Sequence, residues 1–116
     1  MEKTEWNVTL TLDPTQNAAL TVLTHAQKYF PLTPMEMTHR RLAIHEAVSN
    51  ALKYGGTEAS LTASGNKGEW HVAIRQKNKI ALPDQTDPFR GVALIKRYAR
   101  ETHVSEDGRT LFLLFY

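Results

Sequence analysis

The chain of 116 residues contains no cysteine, which removes disulfide frameworks, thiolate metal sites and cysteine nucleophiles together and leaves His and carboxylates as the metal-binding side chains. Long apolar runs are missing too: nothing approaches the roughly 20 residues needed to cross a bilayer. Residues 1–7 carry Glu2, Lys3 and Glu5 instead of a basic start followed by an apolar stretch, so the reading is of a cytoplasmic protein with no membrane association. An excess of one charge is also lacking. Lys plus Arg number 14 against 12 Asp plus Glu, a net charge of +2 that calls for no direct nucleic-acid partner. What is present, 41% hydrophobic and 22% charged residues, is the composition of one folded domain over 1–116.

Trp6, Val8, Leu10 and Leu12 alternate with Asn7, Thr9 and Thr11, the period of a half-buried strand with its polar face outward. Asp13, Pro14 and Gln16 read as a helix start, and Ala19, Val22, Leu23, Ala26 and Phe30 follow at helical spacing until Pro31, which predicts an end near Tyr29. The same grammar returns at Thr33, Pro34 and Glu36 and opens a helix from about Pro34 to Tyr54, stopped by Gly55 and Gly56. Alternation over 58–64 and again through Trp70, Val72 and Ile74, with a turn at 65–68, predicts a hairpin. A looser segment with Pro83 and Pro88 leads to a third helix over 88–101. A last hairpin pairs 102–105 with 110–116 around Asp107 and Gly108.

This order predicts an α+β fold, a two-layer sandwich of about five mainly antiparallel strands with three helices on one face. Thr9, Thr11, Ser60, Thr62, His71 and Arg75 suit a polar outer face. Leu111, Phe112, Leu113, Leu114 and Phe115 are apolar at every position, so a partner surface or homodimer contact is expected along that strand.

The 34–54 helix carries the chemistry. At about 100° per residue, Ile44, Ala47, Val48 and Ala51 gather on one side, while Glu46, Asn50 and Lys53 fall within roughly 60° of one another on the opposite side. A carboxylate, a carboxamide and an ammonium stacked in this way offer a base or water-orienting group, a hard oxygen ligand for Mg²⁺ and a cation for phosphate. A solvated helix face can show the same spacing.

The string Glu46-Ala47-Val48-Ser49-Asn50-Ala51-Leu52-Lys53-Tyr54-Gly55 resembles the N-box of the GHKL, or histidine kinase-like, ATPases. With the short length and element order, the chain looks most like the anti-sigma factor serine kinases of that superfamily, over nearly its whole length. The resemblance implies a Bergerat-type fold with ATP and Mg²⁺ as cofactors. It implies Glu46 as catalytic base or water-orienting residue, Asn50 as Mg²⁺ ligand and Lys53 as a phosphate contact. Gln76, which shares a face with Val72 and Ile74, stands where the family has an adenine-binding Asp, and Asn78 stands where it has Gly. A Gln carbonyl oxygen still accepts from an adenine amine, without the charge that strengthens the family's contact.

Gly91-Val92-Ala93-Leu94 is similar to the family's Gly-x-Gly-Leu box, with Gly91 allowing close approach of a phosphate at a helix N-terminus and Ala93 in place of the second Gly. Gly108 and Thr110 look like its Gly-x-Thr box, in which the Thr hydroxyl supports the adenine-binding residue. The lid by resemblance is confined to 77–90, where Lys77, Lys79 and Arg90 stand within reach of phosphates. His45 and Glu46 do not make a zinc-protease motif, because the second His of that motif falls at Ser49. Two functions stay open. One is an ATP-dependent protein serine/threonine kinase that regulates transcription through a sigma factor or an anti-sigma factor antagonist. The other is a non-catalytic interaction module of the same fold that has lost tight ATP binding, for which Gln76, Asn78, Ala93 and the short lid argue.

Overall fold

The computed structural model describes residues 6–29, 31–66, 69–80, 95 and 97–115. Strand β1 (Trp6–Thr11) alternates between buried Trp6 and Val8 and exposed Asn7, Thr9 and Thr11, as its sequence period requires. Asp13 does not cap the next helix. Its Oδ1 accepts from both the backbone N–H and the hydroxyl of Thr15 (2.8 and 2.7 Å), closing a local turn. The cap falls instead to Asn17, whose Oδ1 accepts from the Leu20 N–H at 3.1 Å, and α1 runs over Ala18–Gln27, later and shorter than expected.

Helix α2 (Pro34–Tyr54) keeps its expected bounds because its start is over-determined. The Thr33 hydroxyl accepts from Glu36 N–H at 3.2 Å while the Glu36 carboxylate accepts from Thr33 N–H at 3.0 Å, with Pro34 in the first turn. That hydrogen bonding holds the Glu36 carboxyl below its ordinary value, as Thr15 does for Asp13.

The strands β2 (Ser60–Asn66), β3 (Glu69–Arg75), β4 (Glu101–Val104) and β5 (Thr110–Phe115) join β1 in one antiparallel sheet of order β1-β2-β3-β5-β4. The α+β class with a five-stranded antiparallel sheet is as expected. One sheet face presents Trp6, Val8, Leu61, Ala63, Trp70, Val72, Ile74, Leu113 and Phe115 to Val22, Leu23 and Ala26 of α1 and to Ala43, Ile44, Ala47, Val48 and Ala51 of α2. The opposite face carries Thr9, Thr62, Ala73 and Phe112 in one register row and Asn7, Ser64, His71 and Leu114 in the next, with Ser64 Oγ 2.9 Å from His71 Nε2. On β5, Leu113 and Phe115 are buried, whereas Phe112 and Leu114 are half-buried on this outer face.

Gly65 lies in β2 and not in the expected turn, because it is where Trp6 rests: a Cβ there would come within 2.1 Å of the indole nitrogen. Two helices, α1 and α2, are defined among the described residues. Of the expected third helix, Ile95, Arg97 and Tyr98 have helical backbone, and Ala99 N–H donates to Ile95 carbonyl at 2.9 Å; 88–94 lies outside the described residues. Glu101 opens β4 instead of closing that helix, since Arg100 N–H is already bonded to Leu114 carbonyl at 2.8 Å. No helix among the described residues is long and apolar enough to cross a membrane.

Candidate nucleotide site at the C-terminal half of α2

Burying Ala43, Ile44, Ala47, Val48 and Ala51 against the sheet fixes the rotation of α2 and leaves Glu46 and Asn50 half-buried on its flank, with Lys53 exposed. The flank is not wholly open. His39, seven residues before Glu46 and so within about 20° of the same helix direction, stacks on Tyr98 with ring centroids 4.3 Å apart and planes 16° apart. The Arg97 guanidinium lies 5.6 Å from the Tyr98 ring centroid. The segment around Tyr98 therefore packs beside this wall of α2.

The helix ends hard against the end of β3. Gly55 N–H closes the last turn on Ala51 carbonyl at 2.8 Å, and a Cβ on Gly55 would stand 2.6 Å from the Cβ of Gln76. Asn78 then caps the helix from outside: its backbone N–H donates to Gly55 carbonyl (2.8 Å) and its side-chain amide to Tyr54 carbonyl (3.1 Å). Gln76 is buried, at 8% exposure, and its side-chain NH₂ donates to Asn78 carbonyl at 2.9 Å. A carbonyl only accepts, so this contact fixes which end of the Gln76 amide is nitrogen and leaves its oxygen as the acceptor to offer.

Thr110 is near Gln76 in the chain trace but on the other side of the sheet. Gln76 N–H donates to Arg109 carbonyl (2.9 Å), and the register pairs Thr110 with Arg75, whose Nη1 donates to the Thr110 hydroxyl at 2.9 Å. The structure thus brings together Glu46 and Asn50 on α2, and Gln76 with the helix end, but does not bring the Thr110 hydroxyl to Gln76. Lys77 and Lys79 are exposed; Gly91, Ala93 and Arg90 lie outside the described residues. Sequence reasoning missed Asn78 as the helix cap and Gly55 as the close contact; the Gly55-Gly56 pair directly after a helix was the available signal.

Among the described residues no group of three His, Cys, Asp or Glu side chains comes together to hold a metal. A half-buried carboxamide such as Asn50 fits Mg²⁺ as one hard oxygen ligand, since this ion beside a nucleotide takes its other ligands from phosphate oxygens and water.

The β4–β5 turn beside the site is organised by Asp107. It accepts from the Ser105 hydroxyl (2.5 Å), the Arg109 N–H (3.0 Å) and Arg75 Nη2 (3.1 Å). Those bonds, the Ser105 one foremost, lower its carboxyl from the usual 3.8 to about 2. A depressed carboxylate stabilises the fold fully above its unfolded-state value and loses that contribution as pH falls through the folded one. Acid titration followed by NMR should therefore find Asp107 still ionised at about pH 3, and Asp107→Asn should flatten the acid limb of the stability curve between about pH 4 and pH 2. An Asp107 carboxyl titrating at its ordinary value would show that the turn does not hold in solution.

No protein-family model and no curated protein sequence matches this chain.

Proposed function

We propose that this chain is an ATP-binding regulatory protein of the histidine kinase-like kind, acting as a protein serine/threonine kinase on a sigma factor or an anti-sigma factor antagonist. The observation that carries the reading is the flank of α2: Glu46 and Asn50 half-buried side by side on a helix whose end is packed onto the buried Gln76. In this reading Glu46 accepts the proton of the attacking serine hydroxyl, Asn50 holds Mg²⁺, and Lys53 and Gly91 contact phosphates. The Gln76 carbonyl oxygen accepts from the adenine amine, and Thr110 contributes only through the turn that it anchors. When bound, Mg²⁺ neutralises charge on the phosphates.

A second reading, a non-catalytic interaction module of the same fold, is favoured by one specific observation. The two parts of the family's adenine box are not wired together, since the Thr110 hydroxyl is engaged by Arg75 and the Gln76 amide by Asn78. Calorimetric titration separates the two. ATP with Mg²⁺ should give a saturable heat that weakens by at least about tenfold, ~1.4 kcal/mol, in Asn50→Ala. No heat from the native protein at millimolar nucleotide would leave the interaction module as the function.

A further inference from the structure

Positive charge gathers where the end of β3 meets the β4–β5 turn. Residues 75–80 and 105–110 carry Arg75, Lys77, Lys79 and Arg109, all exposed, against the carboxylates Glu106 and Asp107. This excess of two positive charges equals the net charge of the whole chain, +2, so the charges elsewhere cancel.

Backbone bonds hold these cations together. Gln76 N–H donates to Arg109 carbonyl at 2.9 Å, Arg109 Nε to Lys77 carbonyl at 3.0 Å, and Ile80 N–H to Gly108 carbonyl at 2.7 Å. The stem of Lys79 lies over Gly108, where a Cβ would stand 3.6 Å from Lys79 Cγ. Asp107 is already engaged: it accepts from the Ser105 hydroxyl and the Arg109 N–H and pairs with Arg75 at 3.1 Å. Lys77, Lys79 and Arg109 form no ion pair with a described carboxylate. Like charges set side by side oppose folding, and among the described residues no contact uses the two ammonium groups or the Nη atoms of Arg109 in return.

We infer that this junction is a docking surface for an acidic peptide segment of a protein partner. With Nε tied to the Lys77 carbonyl, Arg109 is held in place and keeps its two Nη groups as a fork for one carboxylate. Lys77 and Lys79 supply mobile point charges for further carboxylates along the same segment. Nucleic acid fits this surface less well. Neither 75–80 nor 105–110 contains an aromatic ring on which a base could stack, and Lys77, Lys79 and Arg109 are few beside the roughly 6–10 phosphate contacts of a duplex binder. The backbone bond between Gln76 and Arg109 places a docked segment at the margin of the candidate nucleotide site, but the inference does not depend on nucleotide binding.

Titration with a fluorescent oligoglutamate peptide, followed by anisotropy at low salt and without nucleotide, tests it. The native chain should bind saturably, more weakly as salt rises, and the amide NMR shifts of residues 77, 79 and 109 should move most. Lys77→Ala combined with Lys79→Ala should weaken binding by at least about tenfold; neither side chain makes a described hydrogen bond, so native circular dichroism should be retained. Arg109→Lys keeps the charge but loses the fork and the bond to Lys77 carbonyl, and should weaken binding several-fold. Lys28→Ala, which removes an exposed lysine at the end of α1, should leave binding unchanged. The inference is overturned by a native chain that does not bind, by shifts that map elsewhere, or by a folded double lysine variant that binds like the native protein. It is equally overturned if Lys28→Ala loses as much as the double variant, or if a thymidine oligonucleotide of equal charge binds as tightly as the peptide.

Discussion

Replacing Trp70 by alanine is expected to destabilise the protein by about 3–5 kcal/mol, the range for emptying a fully buried aromatic site. Trp70 has 0% exposure and stacks on Phe115 with ring centroids 4.5 Å apart; Trp6 tilts against it at 5.9 Å and lies on Tyr29 at 6.3 Å. The loss therefore opens the centre of an aromatic chain that joins β1, β3 and β5 to the end of α1. A domain of this size is held by about 5–15 kcal/mol in total, so urea denaturation should show most of that margin gone. One term opposes the loss. The Trp70 indole N–H is buried with no hydrogen-bond partner among the described residues, and an unsatisfied buried donor costs ~1–3 kcal/mol. Trp70→Phe keeps a ring over Phe115 and removes that donor, so it should cost under about 1.5 kcal/mol. A Trp70→Phe loss close to that of Trp70→Ala would mean that the indole N–H is satisfied in solution, so that losing its hydrogen bond adds to the cost of the smaller ring.

The legible parts of this fold were those whose cause is local. The bounds of α2 followed from Thr33, Pro34, Glu36 and Gly55, all within one turn of the helix ends, and the capping box is present as the residues require. The shared flank of Glu46, Asn50 and Lys53 followed from helical period alone, and burial of the opposite side fixed which way it turns. Failures arose where one residue had two local uses or where register decided. Asp13 can cap a helix or close a turn, and the Thr15 hydroxyl settles the competition in favour of the turn. Gly65 reads as a turn residue until Trp6 is known to lie across it. Thr110 shows the limit most clearly. Its face depends on how β5 is aligned with β3, and the pairing of Arg75 with Thr110 is a long-range fact that no spacing within either strand encodes.

Gly55→Ala should be the most damaging single methyl group near the candidate site, at about 2–3 kcal/mol, or roughly 10 °C in melting temperature for a domain of this size. Backbone strain is not the reason, because Gly55 has φ −80°, which alanine adopts freely. Space is the reason: the new Cβ would stand 2.4 Å from the Ala51 carbonyl oxygen, 2.6 Å from Gln76 Cβ and 3.0 Å from Gln76 Cδ. The first of these is helix backbone and cannot rotate away. Gln76 is held from two sides, by its N–H to Arg109 carbonyl and its amide to Asn78 carbonyl, so relief must come by prising the end of α2 from the end of β3. Gly56→Ala offers the contrasting case. At φ +85° it pays the left-handed penalty of ~1–2 kcal/mol, but the nearest atoms to its Cβ would be those of the Asn78 side-chain amide, from 3.1 Å, a group able to swing aside at the loss of one bond to Tyr54. Urea denaturation should rank Gly55→Ala below Gly56→Ala, and amide NMR shifts at Gln76 and Asn78 should move more in the first. The reverse order would mean that the helix end and the strand end are not in contact, and with that the geometry linking Asn50 to Gln76 across the candidate site would fail.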